Sequence, residues 1–437
     1  MEQSDLAAFT SSASTKLIHG GLRYLEYGEL RLVREALIER ERLLAIAPHL
    51  VHPLRFVLPH VGSLRPRWEI RLGLLLYDHL GGRRGLAPSR AIRLDRDPAG
   101  NALRPGFVHG FTYSDCRVDD SRFVAMNALD AAERGAAILT RTRLERAHAE
   151  RGAWLADCVD MTTGARREVR ARTIVNAAGG WVNEVRSALG LGPAIGLRLV
   201  KGSHIVVPRL SEGDTAYLLQ NPDRRVVFAI PFDDHSTLIG TTDEPYGGDL
   251  SAPSPSAGEV DYLCTSVNRY FERAASPAAV LWRFAGVRAL KDDHAARASA
   301  VTRDYALHAE QTADGAFVLS VIGGKLSTYR SLAEAALDVL QPRIGGARRR
   351  WTHEAPLPGG DVAHDARGPD FGAFEHDALR RWSALPPALV SRLARAYGTR
   401  MERILGGAAA LDALGECFGA DLTAAEVDHL HDREWAD

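Results

Sequence analysis

The sequence predicts an α/β protein that also contains an antiparallel-sheet domain and an all-helical C-terminal domain. Three observations support this prediction. Apolar strands run into Gly-Gly turns and then into helical segments at 171–188 and 317–340. Short β-branched segments, separated by Pro and Asp, lie between residues 203 and 243. Beyond residue 372 the apolar residues recur only at helical spacing.

Length and composition narrow the class of protein. A chain of 437 residues is long enough for two or three domains of ~150 residues each. The 54 Lys and Arg balance 55 Asp and Glu, and no basic tail is present, so we expect no nucleic-acid partner. The four cysteines are far apart and form no Cys-x-x-Cys motif. We therefore expect neither a disulfide framework nor a zinc site, and a reducing cytoplasm fits.

The first residues and the apolar runs bear on membrane targeting. The N-terminal segment has no basic stretch followed by an apolar one, so we expect no signal peptide. No apolar run approaches the ~18 residues of a membrane span. The apolar run 70–80 is short. We predict a buried helix there, in preference to a helix inserted in the surface of a membrane.

Periodicity and turn residues predict the remaining elements in chain order. Leu30, Val33, Leu37, Leu44 and Ala47 share one helical face. The predicted helices are 28–50, 120–134, 326–340, 382–397, 401–414 and 423–434. The predicted strands are 136–144, 171–176, 203–208, 224–232, 236–243, 278–288 and 317–322. A Pro-, Gly- and Asp-rich linker at 355–372 places a domain boundary before the C-terminal helices.

Two glycine-rich stretches look like nucleotide-binding motifs but do not qualify. Residues 190–196 read GxGxxxG and follow a helical segment, whereas the dinucleotide fingerprint GxGxxG needs a preceding strand. Residues 322–328 end in GGKLST, and Leu326 stands where a phosphate-binding Walker loop needs Ser or Thr. Neither stretch predicts a nucleotide site by itself.

The two Gly-Gly turns still favour a ligand site. Each follows a strand and precedes a helical segment, whose free N–H groups favour anions. Ligands of open α/β sheets bind at the carboxyl ends of strands. Lys325 adds a positive charge to the second turn. A tight strand-to-helix turn and a solvated surface lysine are the alternatives that the residues leave open.

Two more residues have both a structural and a functional interpretation. Arg288 closes the strand 278–288 and is either a surface ion-pair partner or a clamp for a phosphate or carboxylate. His19 precedes Gly20-Gly21 and is either a loop residue bound to a carbonyl group or a general base at neutral pH. The residues alone do not decide between these interpretations.

Several motifs taken together resemble one family. TSSASTKLIHGGLRYLEYGELRLVREAL, YSDCRVDD, KGSHIVVP, IGTTDEPY, GVRAL, VTRDYAL and GGKLSTYR resemble the FAD-dependent respiratory glycerol-3-phosphate dehydrogenases of the D-amino-acid-oxidase-like flavoprotein superfamily. The resemblance implies an FAD-dependent oxidoreductase region over 1–354 and a helical domain over 355–437. Within that region it implies a discontinuous, Rossmann-like FAD domain (about 1–50, 116–197 and 281–345) and a substrate domain (about 51–115 and 198–280).

The resemblance also implies roles for residues. His19 would be the catalytic base, with Arg288 stabilising the developing alkoxide. The substrate and its phosphate would be bound by Arg23, Tyr24, Arg303 and Lys325. The FAD-binding residues would be Glu2, Thr10, Ser11, Ser12, Ser14, Lys16, Leu17, Asn176, Ala177, Gly179, Gly323, Gly324, Leu326 and Ser327.

The chain departs from the family at its start. Members of the family begin with a strand, a GxGxxG turn, a helix and a second strand, a unit of ~30 residues. Here Glu2 stands where the ribose-binding acid that ends this unit is expected. We expect a mis-assigned start or a fragment, with a genuinely shortened gene as the alternative. We expect this chain to bind FAD poorly, because the missing turn holds the pyrophosphate. The function is therefore assigned to the protein that includes this unit, and the experiments below use that form. The family also extends beyond the C-terminal residues.

The implied reaction is oxidation of sn-glycerol 3-phosphate to dihydroxyacetone phosphate by hydride transfer to FAD, with electrons passed to a membrane quinone. The protein would be cytoplasmic and peripheral on the inner face of the cell membrane. The sequence leaves the oligomeric state open, a homodimer included. Two alternatives are a related oxidase acting on an amino acid or 2-hydroxy acid, and an inactive truncated remnant.

Overall fold

The computed structural model describes residues 1–436, with gaps at 63, 83–84, 293–303, 347–348 and 366–367. The described α-helices are α1 Leu30–Ile46, α2 Arg67–Leu80, α3 Asp120–Glu133, α4 Val182–Ala188, α5 Ala257–Asn268, α6 Tyr329–Ile344, α7 Phe371–Arg381, α8 Pro387–Tyr397, α9 Glu402–Leu405 and α10 Ala424–Glu434. The described strands are β1 Leu17–Ile18, β2 Val51–Pro59, β3 Arg90–Arg93, β4 His109–Val118, β5 Thr142–Glu150, β6 Ala153–Asp160, β7 Arg166–Ala171, β8 Thr173–Asn176, β9 Leu197–Pro208, β10 Ala216–Gln220, β11 Val226–Pro231, β12 Ser236–Gly240, β13 Glu244–Pro245, β14 Trp282–Lys291, β15 Ala306–Gln311, β16 Phe317–Ile322, β17 His364–Asp365 and β18 Gly368–Pro369.

The largest sheet has the strand order β1-β4-β2-β10-β11-β12-β9-β13, with β14 beside β9 and β3 beside β4. The predicted antiparallel pairing is confirmed: β9 pairs with β12, and β12 pairs with β11. Val260, Leu263 and Val267 of α5 pack on one face of this sheet. Leu37 of α1 and Leu74 of α2 pack on the other face. The sheet is therefore covered by helices on both faces.

A smaller sheet, ordered β15-β16-β8, holds the two predicted Gly-Gly turns side by side. Strand β16 runs parallel to β8, with Ser320 opposite Asn176. Because the carboxyl ends of parallel strands lie at the same edge of a sheet, the turns after Asn176 and Ile322 meet there. Strands β5, β6 and β7 form a third, antiparallel sheet.

Several element boundaries differ from the predictions. The predicted helix 382–397 corresponds only to α8, which begins at Pro387, and helix α7 was not predicted. Strand β5 starts at Thr142, so the predicted strand 136–144 was placed too early. Helix α7 begins at Phe371, inside the predicted linker, because the Asp370 side chain accepts a hydrogen bond from the Ala373 N–H and caps the helix. The predicted helix 401–414 is wrong as one helix: α9 ends at Leu405, where Gly406 and Gly407 interrupt it, and a 3-10 turn follows at Leu411–Leu414.

Helix α2 corrects the prediction of a buried helix. Its inner face packs into the core through Ile70, Leu74 and Tyr77. Its outer face carries large apolar side chains that are exposed by 69%, 51%, 39% and 44%, namely Trp68, Leu72, Leu75 and Leu76. These residues recur at helical spacing, so they form one exposed stripe. The helix thus carries apolar residues on its buried face and also on an exposed stripe.

Two histidines mark the place where the helical C-terminal region packs on the rest of the chain. Burial lowers the pKa of His49 to about 3, with the charges of His52 and Arg122 acting in the same direction. Burial also lowers the pKa of His52 to about 4, and the His52 ring lies 5.2 Å from the ring of Phe371 in α7. Both imidazoles are therefore neutral in the folded protein at pH 7.

This burial predicts acid sensitivity. A lowered folded-state pKa means that protonation favours the unfolded chain. The stability of the folded state is complete above the ordinary histidine pKa of about 6.5 and is lost as the pH falls toward 4. We expect His52→Leu to flatten the pH dependence of the free energy of unfolding between pH 6.5 and pH 4, as measured by urea denaturation. The exposed His431→Leu is the control, and equal slopes for the two variants would contradict the assignment.

Candidate active site

The serine-rich segment 10–17, called the leader below, lies against β14. Thr10, Ser11 and Ser12 form a 3-10 turn. The Thr10 hydroxyl donates to the Val287 carbonyl at 2.9 Å and accepts from the Val287 N–H at 3.2 Å. Val287 precedes Arg288 in β14. The leader and the strand that carries Arg288 are therefore held together directly.

Ser14 and Lys16 are held by a buried carboxylate. Asp120, at the start of α3, accepts from the Ser14 hydroxyl at 2.7 Å and pairs with Lys16 Nζ at 2.6 Å. Lys16 Nζ also donates to the Ser12 carbonyl at 3.0 Å. Asp120 fixes the leader so that Leu17 enters β1, which pairs with β4.

The loop after β1 rests on a buried polar network. The Gly20 N–H donates to the Tyr77 hydroxyl at 2.8 Å, and that hydroxyl donates to Asp115 at 2.8 Å. Asp115 pairs with Arg40 at 2.7 Å, and both side chains are almost fully buried. This network positions the backbone beside His19.

Gly21 allows the next side chains to fold back over the loop. Its φ is +77°, and the ring of Tyr24 would lie 2.3 Å from a Cβ atom at this position. A larger residue would therefore displace Tyr24 as well as strain the backbone. With glycine here, the Tyr24 ring packs under Lys325, whose Nζ is 3.8 Å from the ring centroid. This contact is within the range of a cation–π interaction.

The second Gly-Gly turn reaches the same loop. The Ser327 hydroxyl accepts from the His19 N–H and donates to the His19 carbonyl, both at 3.0 Å. Gly323 and Gly324 both have positive φ and carry the chain from β16 to Lys325. Helix α6 follows and is tied to α1 by the buried Arg330–Glu39 pair at 2.6 Å. The turn 323–327, called the lysine turn, and the loop 19–21, called the histidine loop, are thus joined by hydrogen bonds.

Two predicted cations meet at one carboxylate, and a third, Lys325, rests on the residue that follows Arg23. Arg288 Nη1 lies 2.8 Å from Oδ1 of Asp243, and Arg23 Nη1 lies 3.8 Å from Oδ2 of the same residue. Arg23 precedes Tyr24, on which Lys325 rests. The side chains of Arg23 and Arg288 keep about a quarter of their surface exposed, at 22% and 28%. The cluster is thus open to a ligand.

Two imidazoles lie in this region. The His19 ring makes an edge contact with Phe228, with the ring centroids 6.2 Å apart. His204 lies on β9, and its Nε2 is 3.0 Å from the Thr15 hydroxyl. Burial lowers the pKa of His204 to about 3, with Arg288 and Lys16 acting in the same direction. His204 is therefore neutral at pH 7.

The glycine turn after β8 completes a cradle that fits a cofactor. The Asn176 side chain donates to the Val182 carbonyl at 2.9 Å and accepts from the Ala178 N–H at 3.3 Å, which fixes the turn that contains Ala177. At Gly179, chain neighbours apart, no heavy atom of the described residues lies within 4 Å of a Cβ position. The Trp181 ring contacts Phe9 of the leader, with the centroids 4.8 Å apart.

The leader, the Asn176 turn and the Gly323-Gly324 turn therefore surround one region. Their backbone N–H groups and the open space beside Gly179 suit the polar groups of FAD. Leu326 packs beside this region in the core that contains Ile18. Glu2 pairs with the segment that leads into β5: its N–H donates to the Leu139 carbonyl, and its carbonyl accepts from the Thr142 N–H. Its predicted role toward FAD stays a prediction. Arg303 lies outside the described residues.

Sequence reasoning assigned no role to several residues of this site. Asp243 lies in the quoted motif IGTTDEPY, and Asp120 lies in YSDCRVDD. Asp115 also lies in YSDCRVDD and His204 lies in KGSHIVVP, whereas Tyr77 lies in no quoted motif. These three reach the site through contacts between distant segments. Their local signal was a polar side chain in a segment that is otherwise apolar.

This fold and site define a class. Residues 1–330 match the family described as "DAO: FAD dependent oxidoreductase", and the chain belongs to this family. A D-erythritol 1-phosphate dehydrogenase of Brucella abortus is 49% identical over 439 residues, which span 100% of the chain and 86% of that protein. A glycerol-3-phosphate dehydrogenase of Pseudomonas aeruginosa is 49% identical over 436 residues (100% and 83%). An aerobic glycerol-3-phosphate dehydrogenase of Escherichia coli is 46% identical over 436 residues (100% and 85%).

Solved structures agree with the family. The glycerol-3-phosphate dehydrogenase of Bacillus halodurans complexed with FAD matches with a TM-score of 0.76 and 25% identity, over 100% of this chain and 77% of that chain. An L-α-glycerophosphate oxidase of Mycoplasma pneumoniae with FAD bound has a TM-score of 0.61 at 17% identity, over 82% and 91%, and shares the fold. The family resemblance drawn from the sequence motifs is confirmed, and the protein is an FAD-dependent oxidoreductase.

Proposed function

We propose that the protein oxidises the C2 hydroxyl of sn-glycerol 3-phosphate to give dihydroxyacetone phosphate. The proposal rests on the pair Arg23 and Arg288, which meet at Asp243, and on Lys325, which lies over the Tyr24 ring at the second Gly-Gly turn. Bound FAD would supply the chemistry by accepting a hydride from the substrate carbon. The leader residues Thr10 to Leu17, the Asn176 turn and the Gly323-Gly324 turn would hold it.

The cations suit a phosphate dianion. Arg23 offers a planar guanidinium that can donate two parallel hydrogen bonds to phosphate oxygens. Lys325 adds a point charge, which is held in place by its cation–π contact with the Tyr24 ring. A substrate carboxylate carries one charge and would need one bidentate arginine. This cluster therefore favours a phosphorylated substrate over an amino acid or 2-hydroxy acid.

Proton transfer falls to His19. Its backbone is clamped on both sides by Ser327, and its loop rests on the Tyr77–Asp115–Arg40 network. We assign its imidazole as the base that takes the hydroxyl proton. Arg288 would stabilise the developing alkoxide. His204 is a second imidazole in the region, hydrogen-bonded to Thr15.

D-erythritol 1-phosphate is a second candidate substrate. The Brucella relative is named a D-erythritol 1-phosphate dehydrogenase, and it is as similar to this chain as the Pseudomonas aeruginosa glycerol-3-phosphate dehydrogenase is. The test is dye-linked turnover of the FAD-loaded protein with both phosphates, glycerol, glycine and lactate. We expect the highest kcat/KM for sn-glycerol 3-phosphate. A higher value for D-erythritol 1-phosphate would reassign the substrate, and turnover of glycine or lactate alone would overturn the proposal.

We further propose that the exposed stripe of α2 docks on a lipid bilayer, where a quinone would accept the electrons. Trp68, Leu72, Leu75 and Leu76 form an apolar surface of the kind that inserts into the headgroup region. Arg67, on the same helix, is exposed and can meet anionic headgroups. No helix in the described part of the chain is long and apolar enough to cross a membrane. Docking would thus be by surface contact.

This placement predicts a loss of vesicle binding. The double variant Leu72→Glu, Leu76→Glu should bind phosphatidylglycerol–phosphatidylethanolamine vesicles at least about tenfold more weakly. The reason is that burying two exposed leucines in the bilayer contributes several kcal/mol to insertion. Turnover with a soluble dye should not change. The matched control is Leu337→Glu, an equally exposed leucine on α6. If the double variant and the Leu337→Glu control bind vesicles equally well in a sedimentation assay, α2 is not the membrane-docking surface.

A further inference from the structure

Asp243 is a carboxylate placed among cations that the proposed function assigns to an anionic substrate. Its side chain is only 10% exposed, and its two oxygens face different arginines. Oδ1 lies 2.8 Å from Arg288 Nη1, and Oδ2 lies 3.8 Å from Arg23 Nη1. One carboxylate thus connects the residue assigned to the phosphate with the residue assigned to the alkoxide.

The segment that carries Asp243 is anchored from behind. The neighbouring Thr242 hydroxyl accepts from the Ser203 N–H at 3.0 Å and donates to Glu259 at 2.8 Å. Glu259 also accepts from the Ser203 hydroxyl and pairs with Lys201 at 2.8 Å. Burial alone would raise the pKa of Glu259, but these hydrogen bonds lower it to about 2. The anchor is therefore ionised and stays in place at neutral pH.

Arg288 is confined from the other side. Its Nη2 lies 3.4 Å from the Thr241 hydroxyl and would lie 2.8 Å from a Cβ atom at Gly202. The guanidinium therefore packs close to the backbone of β9, and a larger residue at Gly202 would have to displace Arg288 or the Thr241 hydroxyl. Asp243 and the Gly202 backbone together define one orientation of Arg288.

The charges of the four residues match a phosphate dianion. Arg23, Arg288 and Lys325 contribute three positive charges, and Asp243 contributes one negative charge, which leaves a formal charge of +2. Without Asp243 the same cluster would carry +3. Because the carboxylate is close to both arginines, its removal would strengthen the attraction for any phosphate.

We propose that Asp243 is a positioning residue that orients Arg23 and Arg288 and limits the charge of the site to that of the dianion. The inference deepens the proposed function and rests on it. Asp243 acts through the arginines and takes no part in proton transfer. Its effect on binding is opposite in sign to its effect on turnover: it weakens phosphate binding and raises kcat.

The test uses Asp243→Asn in the FAD-loaded protein. The dissociation constant for inorganic phosphate, followed through the flavin absorbance spectrum, should fall about tenfold, since one neighbouring negative charge has been removed. The kcat with sn-glycerol 3-phosphate should fall about tenfold or more, because Arg288 loses its orientation. The control Asp249→Asn, in an exposed loop nearby, should change neither value.

Unchanged or weaker phosphate binding by an FAD-loaded Asp243→Asn variant would overturn the proposal, as would an unchanged kcat. If that variant does not retain FAD, Asp243→Ser must show the same opposite changes, and its failure to do so also overturns the proposal. Asp243→Glu keeps the charge and should bind phosphate as the wild type does. Phosphate binding needs no turnover, so a failure of the proposed substrate would be recognised separately in the wild-type protein.

Discussion

Lys325→Met is expected to lower kcat/KM for sn-glycerol 3-phosphate by about 10²-fold, mainly through a higher KM. A hydrogen bond to a charged group contributes about 1.5–3 kcal/mol, and 1.4 kcal/mol corresponds to a factor of ten. The second Gly-Gly turn holds Lys325 over Tyr24, so the position of its charge is fixed. We expect no neighbouring cation to take its place in the variant. Arg23→Met should act in the same direction, because both residues are assigned to the phosphate.

Steady-state kinetics with a soluble dye measure this change, and FAD absorbance shows that the cofactor is retained. Lys291→Met is the matched control. Lys291 is exposed and lies three residues after Arg288 in β14, so the two side chains point to opposite faces of the sheet. A KM that stays at the wild-type value in both Lys325→Met and Arg23→Met would remove these residues from the phosphate site.

Asp115→Ala is expected to be the most destabilising single change in the buried network under the histidine loop. It leaves the Arg40 charge buried without its 2.7 Å partner, and breaking a buried ion pair costs about 3–5 kcal/mol. It also removes the acceptor of the Tyr77 hydroxyl, which holds the Gly20 N–H. The loop that carries His19 should therefore loosen as stability falls.

Urea denaturation gives the change in the free energy of unfolding. Tyr77→Phe should cost less, about 1–3 kcal/mol, because it leaves hydrogen-bonding groups unpaired but no charge. Asp95→Ala is the control: Asp95 pairs with Arg93 on the surface, and little change is expected there. If Asp115→Ala and Asp95→Ala behave alike, the Arg40–Asp115 pair does not stabilise the fold as described.

Local patterns in the sequence predicted the elements whose burial follows one period. Strands β9, β11 and β12 are rich in β-branched residues, and α1, α3 and α6 bury one face. Strands β2 and β4 were not predicted, because Arg55, Ser114 and Asp115 interrupt their apolar pattern. In the folded chain these polar residues pair with one another and with α1, which no local pattern reveals.

The sequence predicted those site residues that lie in short contiguous motifs. Ser327 ties the His19 loop to the turn that carries Lys325, and Thr10 ties the N-terminal segment to the strand that carries Arg288. Their individual roles toward FAD and substrate remain predictions. The residues that hold them, such as Asp243 and Tyr77, are far away in sequence, so their roles depend on contacts that only the fold creates.

The most direct test of the account is anaerobic addition of sn-glycerol 3-phosphate to the FAD-loaded protein. If the leader, the histidine loop and the lysine turn form one site for a phosphorylated polyol, the flavin absorbance near 450 nm should be bleached in a single turnover, and Arg23→Met with Lys325→Met should shift the required substrate concentration upward by about 10²-fold or more. A flavin that stays oxidised with every phosphorylated polyol, or that is bleached equally well in the double variant, would contradict the account.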